Sequence, residues 1–238
     1  MVLFTDFGSR DLYVGQVKAV LAERAPRARV VDALHDAPAF AIEPAAHLLA
    51  ALAPRYPRNA VFFAVVDPGV GGPRDAIAVR ADGRTFVGPD NGLLSIVWQR
   101  ARRRRCWRIT WRPRKLSRSF HGRDLFAPVA AALAKRVPRG WLAPKRRLDV
   151  DLPAEDLAQV MYIDHYGNAM TGLRAASVSP NSEIRANGKT LRRGNTFEAA
   201  RAPFWYENSI GLVELAAPRA SAARLLRLKV GSPIRISK

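Results

Sequence analysis

The sequence predicts an α/β domain built on a mostly parallel sheet, followed by a small all-β domain. Three observations carry this reading. Continuous apolar stretches of strand length alternate with stretches of helical spacing through the first 136 residues. Strands of that kind are buried on both faces and belong to sheets covered by helices. A segment rich in Pro, Gly and charge then breaks the alternation, and only short strand-like stretches between turn residues follow it. We therefore expect an N-terminal α/β domain over 1–140, a linker over 141–156 and a C-terminal β domain over 157–238.

Taken in order, Val2-Leu3-Phe4 reads as a short buried strand that runs into Thr5-Asp6-Phe7-Gly8. Residues 11–24 place Val14, Val17, Val20 and Leu21 on one helical face, with Asp11 as the N-cap. A second strand is expected at 29–32, a helix rich in Ala and Leu at 41–53, and a continuous apolar strand at 60–66. That strand ends at Asp67-Pro68-Gly69-Val70-Gly71-Gly72. Strands at 76–80 and 85–88 flank the turn Asp82-Gly83; a helix at 92–99, a strand at 106–110 and a helix at 124–136 follow. Past Pro144 and Pro153, strands are expected at 157–163, 183–186, 211–215 and 234–236, with turns at Asn187-Gly188 and Gly194-Asn195. No internal repeat is visible.

Composition bounds the function. The 238 residues are 48% hydrophobic, enough for a core and too much for wholesale disorder. No stretch approaches the roughly 18 consecutive apolar residues of a membrane span. Asp6 follows the first residues too closely for a secretory signal, so a cytoplasmic protein without a membrane partner is expected. The single Cys106 excludes an intrachain disulfide and a cysteine-based zinc site, and fits a reducing compartment.

The formal charge of +19 is local. Residues 100–147 hold 17 Lys and Arg against one acid, Asp124, while the rest of the chain is nearly balanced. Arg accounts for 32 of the 39 basic residues, a bias that a GC-rich genome alone also produces. Two readings follow: a solvated arginine-rich surface, or a nucleic-acid-binding surface around Arg102-Arg103-Arg104-Arg105 with Trp107 and Trp111 nearby. The stretch carries no helix-turn-helix, zinc-finger or RNA-recognition signature.

In open α/β sheets ligands bind outside the carboxyl ends of the strands. Asp6, His35 and Asp67 each lie at or just after such an end, which predicts a polar site there. The glycines after Asp67 allow close backbone approach to a ligand, but no Lys-Ser/Thr follows, so this is not a phosphate-cradling loop. Ser209, in Asn208-Ser209-Ile210-Gly211, lacks the setting of a hydrolase nucleophile. His35, His47, His121 and His165 show no metal-ligand spacing, and no metal is expected.

The motifs, taken together and in order, resemble those of the S-adenosyl-L-methionine hydroxide adenosyltransferases, relatives of fluorinase and chlorinase. They are Thr5-Asp6-Phe7-Gly8 with Asp11 and Tyr13-Val14-Gly15, Val66-Asp67-Pro68-Gly69-Val70-Gly71 with Arg74, and Pro89-Asp90-Asn91-Gly92-Leu93-Leu94. Phe120-His121-Gly122-Arg123-Asp124, Ile163-Asp164-His165-Tyr166-Gly167-Asn168, Asn208-Ser209-Ile210-Gly211 and a closing segment around Ala216 to Gly231 complete the series. The resemblance implies a C-terminal β-barrel. It also implies a homotrimer whose active sites lie between one subunit's N-terminal domain and its neighbour's C-terminal domain.

The reaction so implied is attack of water or hydroxide on C5′ of S-adenosylmethionine, giving adenosine and L-methionine with no cofactor. On the resemblance, Asp67, Arg74 and His121 are the catalytic group. Asp6 would accept from the ribose hydroxyls, Phe40 and Tyr166 would flank the nucleoside, and Asn168 would read the adenine edge. Asp11, Asp164 and Ser209 would meet the amino-acid end. A non-catalytic nucleoside-binding role is the remaining alternative. Halide transfer is disfavoured: Asp67 stands where fluorinase has a tyrosine, His121 and Gly122 where it has a tyrosine and a serine, and a carboxylate repels a halide.

Overall fold

The computed structural model describes residues 1–135, 138–194 and 196–237. The chain divides into two compact units, Met1–Ala154 and Glu155–Lys238.

The first unit is a mixed α/β layer structure around one sheet of seven strands. In chain order its elements are β1 (Val2–Thr5), α1 (Leu12–Arg24), β2 (Val31–Leu34), α2 (Ile42–Leu52), β3 (Val61–Val65), β4 (Ala76–Ala81) and β5 (Arg84–Pro89). Then come α3 (Ser95–Gln99), β6 (Arg104–Ile109), α4 (Ala127–Leu133) and β7 (Leu142–Lys145). The strand order is β2-β1-β3-β5-β4-β6-β7. The apolar runs of β1 and β3 bury every side chain, as central strands covered on both faces must. Leu3, Phe63, Val65 and Val87 pack on one face against Val17 and Leu21 of α1 and Val129 and Ala130 of α4. Phe62 and Phe86 stack at 4.7 Å, and each buried ring contributes roughly 1.5–3 kcal/mol.

The sheet is not mostly parallel. Strands β2, β1, β3 and β5 are parallel to one another, whereas β4, β6 and β7 join by antiparallel pairings. The reversal begins at Asp82-Gly83. Both residues have positive φ, 46° and 94°, the geometry of a two-residue hairpin, and a connection that short can only join antiparallel neighbours. The Asp82 carboxylate accepts from the amides of Arg102 and Arg103, at 3.3 and 3.0 Å, and so anchors the start of β6.

The expected linker 141–156 is also corrected at its start. Leu142 to Lys145 form β7, paired with β6 from Ile109↔Leu142 to Cys106↔Lys145. Pro144 disguised it, yet proline is tolerated in an edge strand because one side of its backbone has no ladder to serve. Trp111 and Trp141, at the joined ends of the pair, stack at 4.4 Å. Lys145 ends β7 with its Nζ 2.8, 3.0 and 2.7 Å from carboxylate oxygens of Asp75, Asp90 and Asp149. These acids share one counter-charge. Cys106, buried in β6 opposite Val79, has its thiol pushed up to about 12, chiefly by burial.

Two further sequence readings shift. Asp11 occupies the N-cap position of α1 but its side chain caps nothing. The helix expected over 124–136 begins as a π turn, Gly122–Phe126, that runs into α4; its last position, 136, lies outside the described residues.

The second unit carries two small antiparallel sheets. One is β12 (Phe204–Glu207), β13 (Leu212–Ala216), β9 (Ala169–Arg174) and β8 (Leu157–Ile163); the other is β11 (Lys189–Leu191), β10 (Glu183–Ala186) and β14 (Ile234–Ser237). A one-turn helix, α5 (Ala222–Leu225), lies between β13 and β14 in sequence. Val160, Leu173, Ile184, Trp205, Val213 and Leu215 form the core, and the Trp205 indole N–H is satisfied by the carbonyl of Ser182 at 3.0 Å. Asn187-Gly188 is a tight hairpin turn, both residues at positive φ. The expected turn at Gly194-Asn195 falls partly on residue 195, outside the described residues. Strands β9, β11 and β12 were not anticipated, being short or interrupted by Gly172.

Candidate active site

The site in the first unit grows from strand ends. Asp6 directly follows β1 and Asp67 follows β3. These strands are adjacent and parallel, with Thr5 level with Val65. Both acids therefore emerge at the carboxyl edge of the sheet, where topology places a ligand. Asp6, Asp11, Phe40, Asp67 and His121 line one cavity of about 390 Å³ there, with Tyr13 and Phe120.

Loop packing brings the remaining groups to that edge. Gly71 has φ +84°, and a Cβ at that position would lie 2.4 Å from the Arg118 carbonyl oxygen. Only glycine lets the loop after Asp67 lie against the segment that leads to His121. Gly122 plays the complementary part, since a Cβ there would meet Phe7 Cζ at 2.9 Å. Phe7, Tyr13 and Phe120 form an aromatic cluster with centroids 5.4–6.2 Å apart. Asp124 closes the loop by accepting from the Ser117 amide at 2.9 Å.

Arg74 is the centre of the arrangement. Its Nε donates to both oxygens of Asp67 at 3.1 Å, and its Nη2 also donates to Asp67 Oδ2. The same Nη2 lies 3.0 Å from His121 Nδ1. The pair is largely withdrawn from water, its side chains 12% and 5% exposed, which strengthens each interaction. Burial, and then the Arg74 charge, push His121 below its ordinary value. The ring is neutral at neutral pH. Burial raises Asp6, and the nearby charge of Asp67 adds to the rise. The Phe40 amide donates to Asp6 at 3.3 Å. Phe40 itself sits at φ 61° with its ring 77% exposed, a strained backbone that offers an aromatic face at the cavity rim.

His35, expected at the same edge, points elsewhere. Its Nδ1 meets Thr5 Oγ1 at 2.9 Å and its Nε2 lies 3.0 Å from Asp32. It ties β1 to β2.

In the second unit Asp164, Tyr166 and Asn168 share the turn between β8 and β9. Asp164 accepts from the Asn168 amide at 2.8 Å and from its side-chain nitrogen at 3.0 Å. Gly167, at φ +85°, faces Ser221, whose Oγ would lie 2.0 Å from a Cβ placed there. These residues line a cavity of about 820 Å³ with Phe197, Arg219, Ser221 and Arg224. Tyr166 is 77% exposed. Ser209 sits in the exposed turn between β12 and β13 and is not part of that lining. Sequence reasoning missed Tyr13, Phe120, Phe197, Arg219 and Arg224. Tyr13 and Phe120 lie within matched motifs and Arg219 and Arg224 within the matched closing segment, while Phe197 carries no local signal.

The chain thus sets an acid, guanidinium and imidazole cluster at the carboxyl edge of an α/β sheet, where such folds bind their ligands, and an antiparallel β unit follows in sequence. The pattern of the SAM hydroxide adenosyltransferase N-terminal domain matches residues 1–141, and that of its C-terminal domain matches residues 158–235. The chain belongs to the SAM hydroxide adenosyltransferase family. It is 41% identical over 251 residues to a Thermus thermophilus protein named (R)-S-adenosyl-L-methionine hydrolase, covering 98% of this chain and 97% of that one. A fluorinase from Actinopolyspora mzabensis is more distant, at 24% identity over 290 residues covering 100% of this chain and 97% of the other. Among solved structures, an uncharacterized conserved protein from Thermotoga maritima superposes with a TM-score of 0.90 at 29% identity, with full coverage of both chains.

Proposed function

We propose that the protein hydrolyses S-adenosyl-L-methionine to adenosine and L-methionine, the (R) configuration in the relative's name pointing to that sulfonium epimer. The observation that carries the reading is Arg74, bound at once to Asp67 and His121, both of which line the acidic cavity.

The chemistry follows from these groups. A guanidinium only donates, so His121 Nδ1 accepts from Arg74 and the neutral ring carries its hydrogen on Nε2. Nε2–H can then donate to a water but cannot take its proton. Asp67 offers acceptors only, and Arg74 fixes their direction. The water oxygen forms its bond to C5′ as the C5′–S bond breaks, the electron pair stays on sulfur, and the proton passes to Asp67. The leaving group is a neutral thioether, so no acid is called for. Held in line, water gains mainly from positioning.

Asp6 serves as acceptor for the ribose hydroxyls, with Phe40 against the nucleoside. Asp11 is free of capping duty and meets the amino-acid end, where a sulfonium and an ammonium charge favour acids. Asp164, Tyr166, Asn168 and Ser209 complete the substrate contacts from a neighbouring subunit, in a homotrimer acting in the cytoplasm. The bridge Gln159↔Pro233 joins the two small sheets and supports reading them as one β-barrel. Purified protein should release adenosine and methionine in a one-to-one ratio from the (R) epimer and little from the (S) epimer, and an Asp67→Ala variant should release neither product. Tight adenosine binding without turnover would replace this reading with a nucleoside-binding role. Sedimentation at a mass other than three chains would remove the trimer.

A further inference from the structure

The arginine cluster at Arg102–Arg105 belongs to none of this machinery. Arg80 on β4 stands directly opposite Arg105 on β6, and Ala78 opposite Trp107. Like charges placed directly across a sheet repel, and nothing in the fold calls for the pair. A groove of about 1120 Å³ runs over this face, lined by Arg58, Arg80, Arg102, Arg103, Arg105 and Trp107. A second cavity of about 610 Å³ shares Arg80, Gly83 and Trp107 with it and extends to Arg139. Among the described residues, the guanidinium groups of Arg80, Arg103, Arg105 and Arg139 pair with no acid. The one acid in the lining, Asp82, is already spent on two backbone amides.

The groove is separate from the acid cavity. Val61 and Thr85, paired at the amino ends of β3 and β5, line the second cavity. Asp6 and Asp67 lie past the carboxyl ends of the parallel neighbours β1 and β3, at the opposite edge of the sheet.

We propose that this groove binds single-stranded nucleic acid, the arginines tracking phosphates while a base stacks on Trp107. Unpaired guanidinium groups call for a polyanion. An acidic protein would satisfy them but has no use for a half-buried indole shared by the groove and the second cavity. A positively charged groove with an aromatic platform in its floor is the arrangement that suits bases on a phosphate backbone.

The test measures anisotropy of a fluorescent single-stranded oligonucleotide with the full chain over a range of salt. Binding at physiological salt is expected, weakening linearly in log salt. The double variant Arg80→Glu/Arg105→Glu should bind at least about tenfold more weakly and lower the salt slope by about 1.4, at roughly 0.7 per phosphate contact. Trp107→Ala should weaken binding by about tenfold. The neutral pair Arg80→Gln/Arg105→Gln should fall between, and unchanged thermal melting of each variant shows that folding is not the cause. Absence of binding, binding that these variants leave intact, or equally tight binding of polyglutamate would overturn the proposal.

Discussion

Arg74 reaches Asp67 and His121 with a single nitrogen, Nη2, which donates to one carboxylate oxygen of Asp67 and lies 3.0 Å from Nδ1 of the imidazole. Asp67 and His121, 54 positions apart in sequence, thus share one donor group. That arrangement sets the histidine tautomer and the direction of the carboxylate together.

An ammonium cannot reproduce it. Arg74→Lys keeps the charge but loses the planar fork that spans both partners. We expect kcat to fall about a hundredfold with KM nearly unchanged, the pattern of a group that acts in the transition state. Steady-state kinetics checks this, and an unaltered kcat would take Arg74 out of the chemistry.

The pH profile follows from His121. Its pKa lies below the ordinary 6.5, first through burial and then through Arg74. Activity should therefore stay level as pH falls through 6.5 and drop only in more acid solution, when a second cation forms beside Arg74. Stability carries the same sign. The unfolded chain takes up the proton first, so this contribution is complete above 6.5 and is lost as pH falls through the folded value. An acid limb in kcat/KM centred at or above 6.5 would contradict the assignment.

Asp6 sets stability against function. Burial raises its pKa above 3.8, so the ionised side chain weighs against the fold once pH exceeds the folded value, and the penalty vanishes below 3.8. Asp6→Asn should raise Tm at neutral pH and leave it unchanged in strong acid. The same variant should raise KM by about tenfold or more, because a charge-assisted contact to the ribose is lost. A lowered Tm at neutral pH would show that the carboxylate is structural.

Lys145 tests the fold independently. Without it, Asp75, Asp90 and Asp149 keep oxygens within 4.8 Å of one another and no shared cation. Lys145→Met should destabilise the chain by about 1–3 kcal/mol, the cost of leaving the buried Asp90 without its cation, while the more exposed Asp75 and Asp149 add little. The loss should shrink in acid solution, where Asp90, held above the usual carboxylate range chiefly by burial, takes up a proton. Equal losses at both pH values would assign the effect to packing.

These sites differ in how far they could be read in advance. Asp6 and Asp67 were visible because each closes an apolar run, and a parallel sheet aligns such ends by construction. His35 met the same criterion and turned inward, since a position at a strand end does not say which way a side chain faces. The hairpin at Asp82-Gly83 was recognised as a turn, but its consequence, a sheet that reverses direction halfway across, depends on which strands pair. Strand β7 stayed hidden because Pro144 reads as a breaker everywhere except at an edge. Phe197 reaches its cavity through tertiary packing alone, and no spacing in the sequence marks it.

Cys106 has a practical consequence. A thiol buried in β6 and raised to about 12 carries almost no thiolate at working pH. Toward maleimides and disulfide reagents the native protein behaves as if it had no cysteine. A cysteine introduced at any exposed position becomes the single reactive handle, so dyes or spin labels can be attached beside the arginine groove or at the rim of the acid cavity without first mutating the wild-type background.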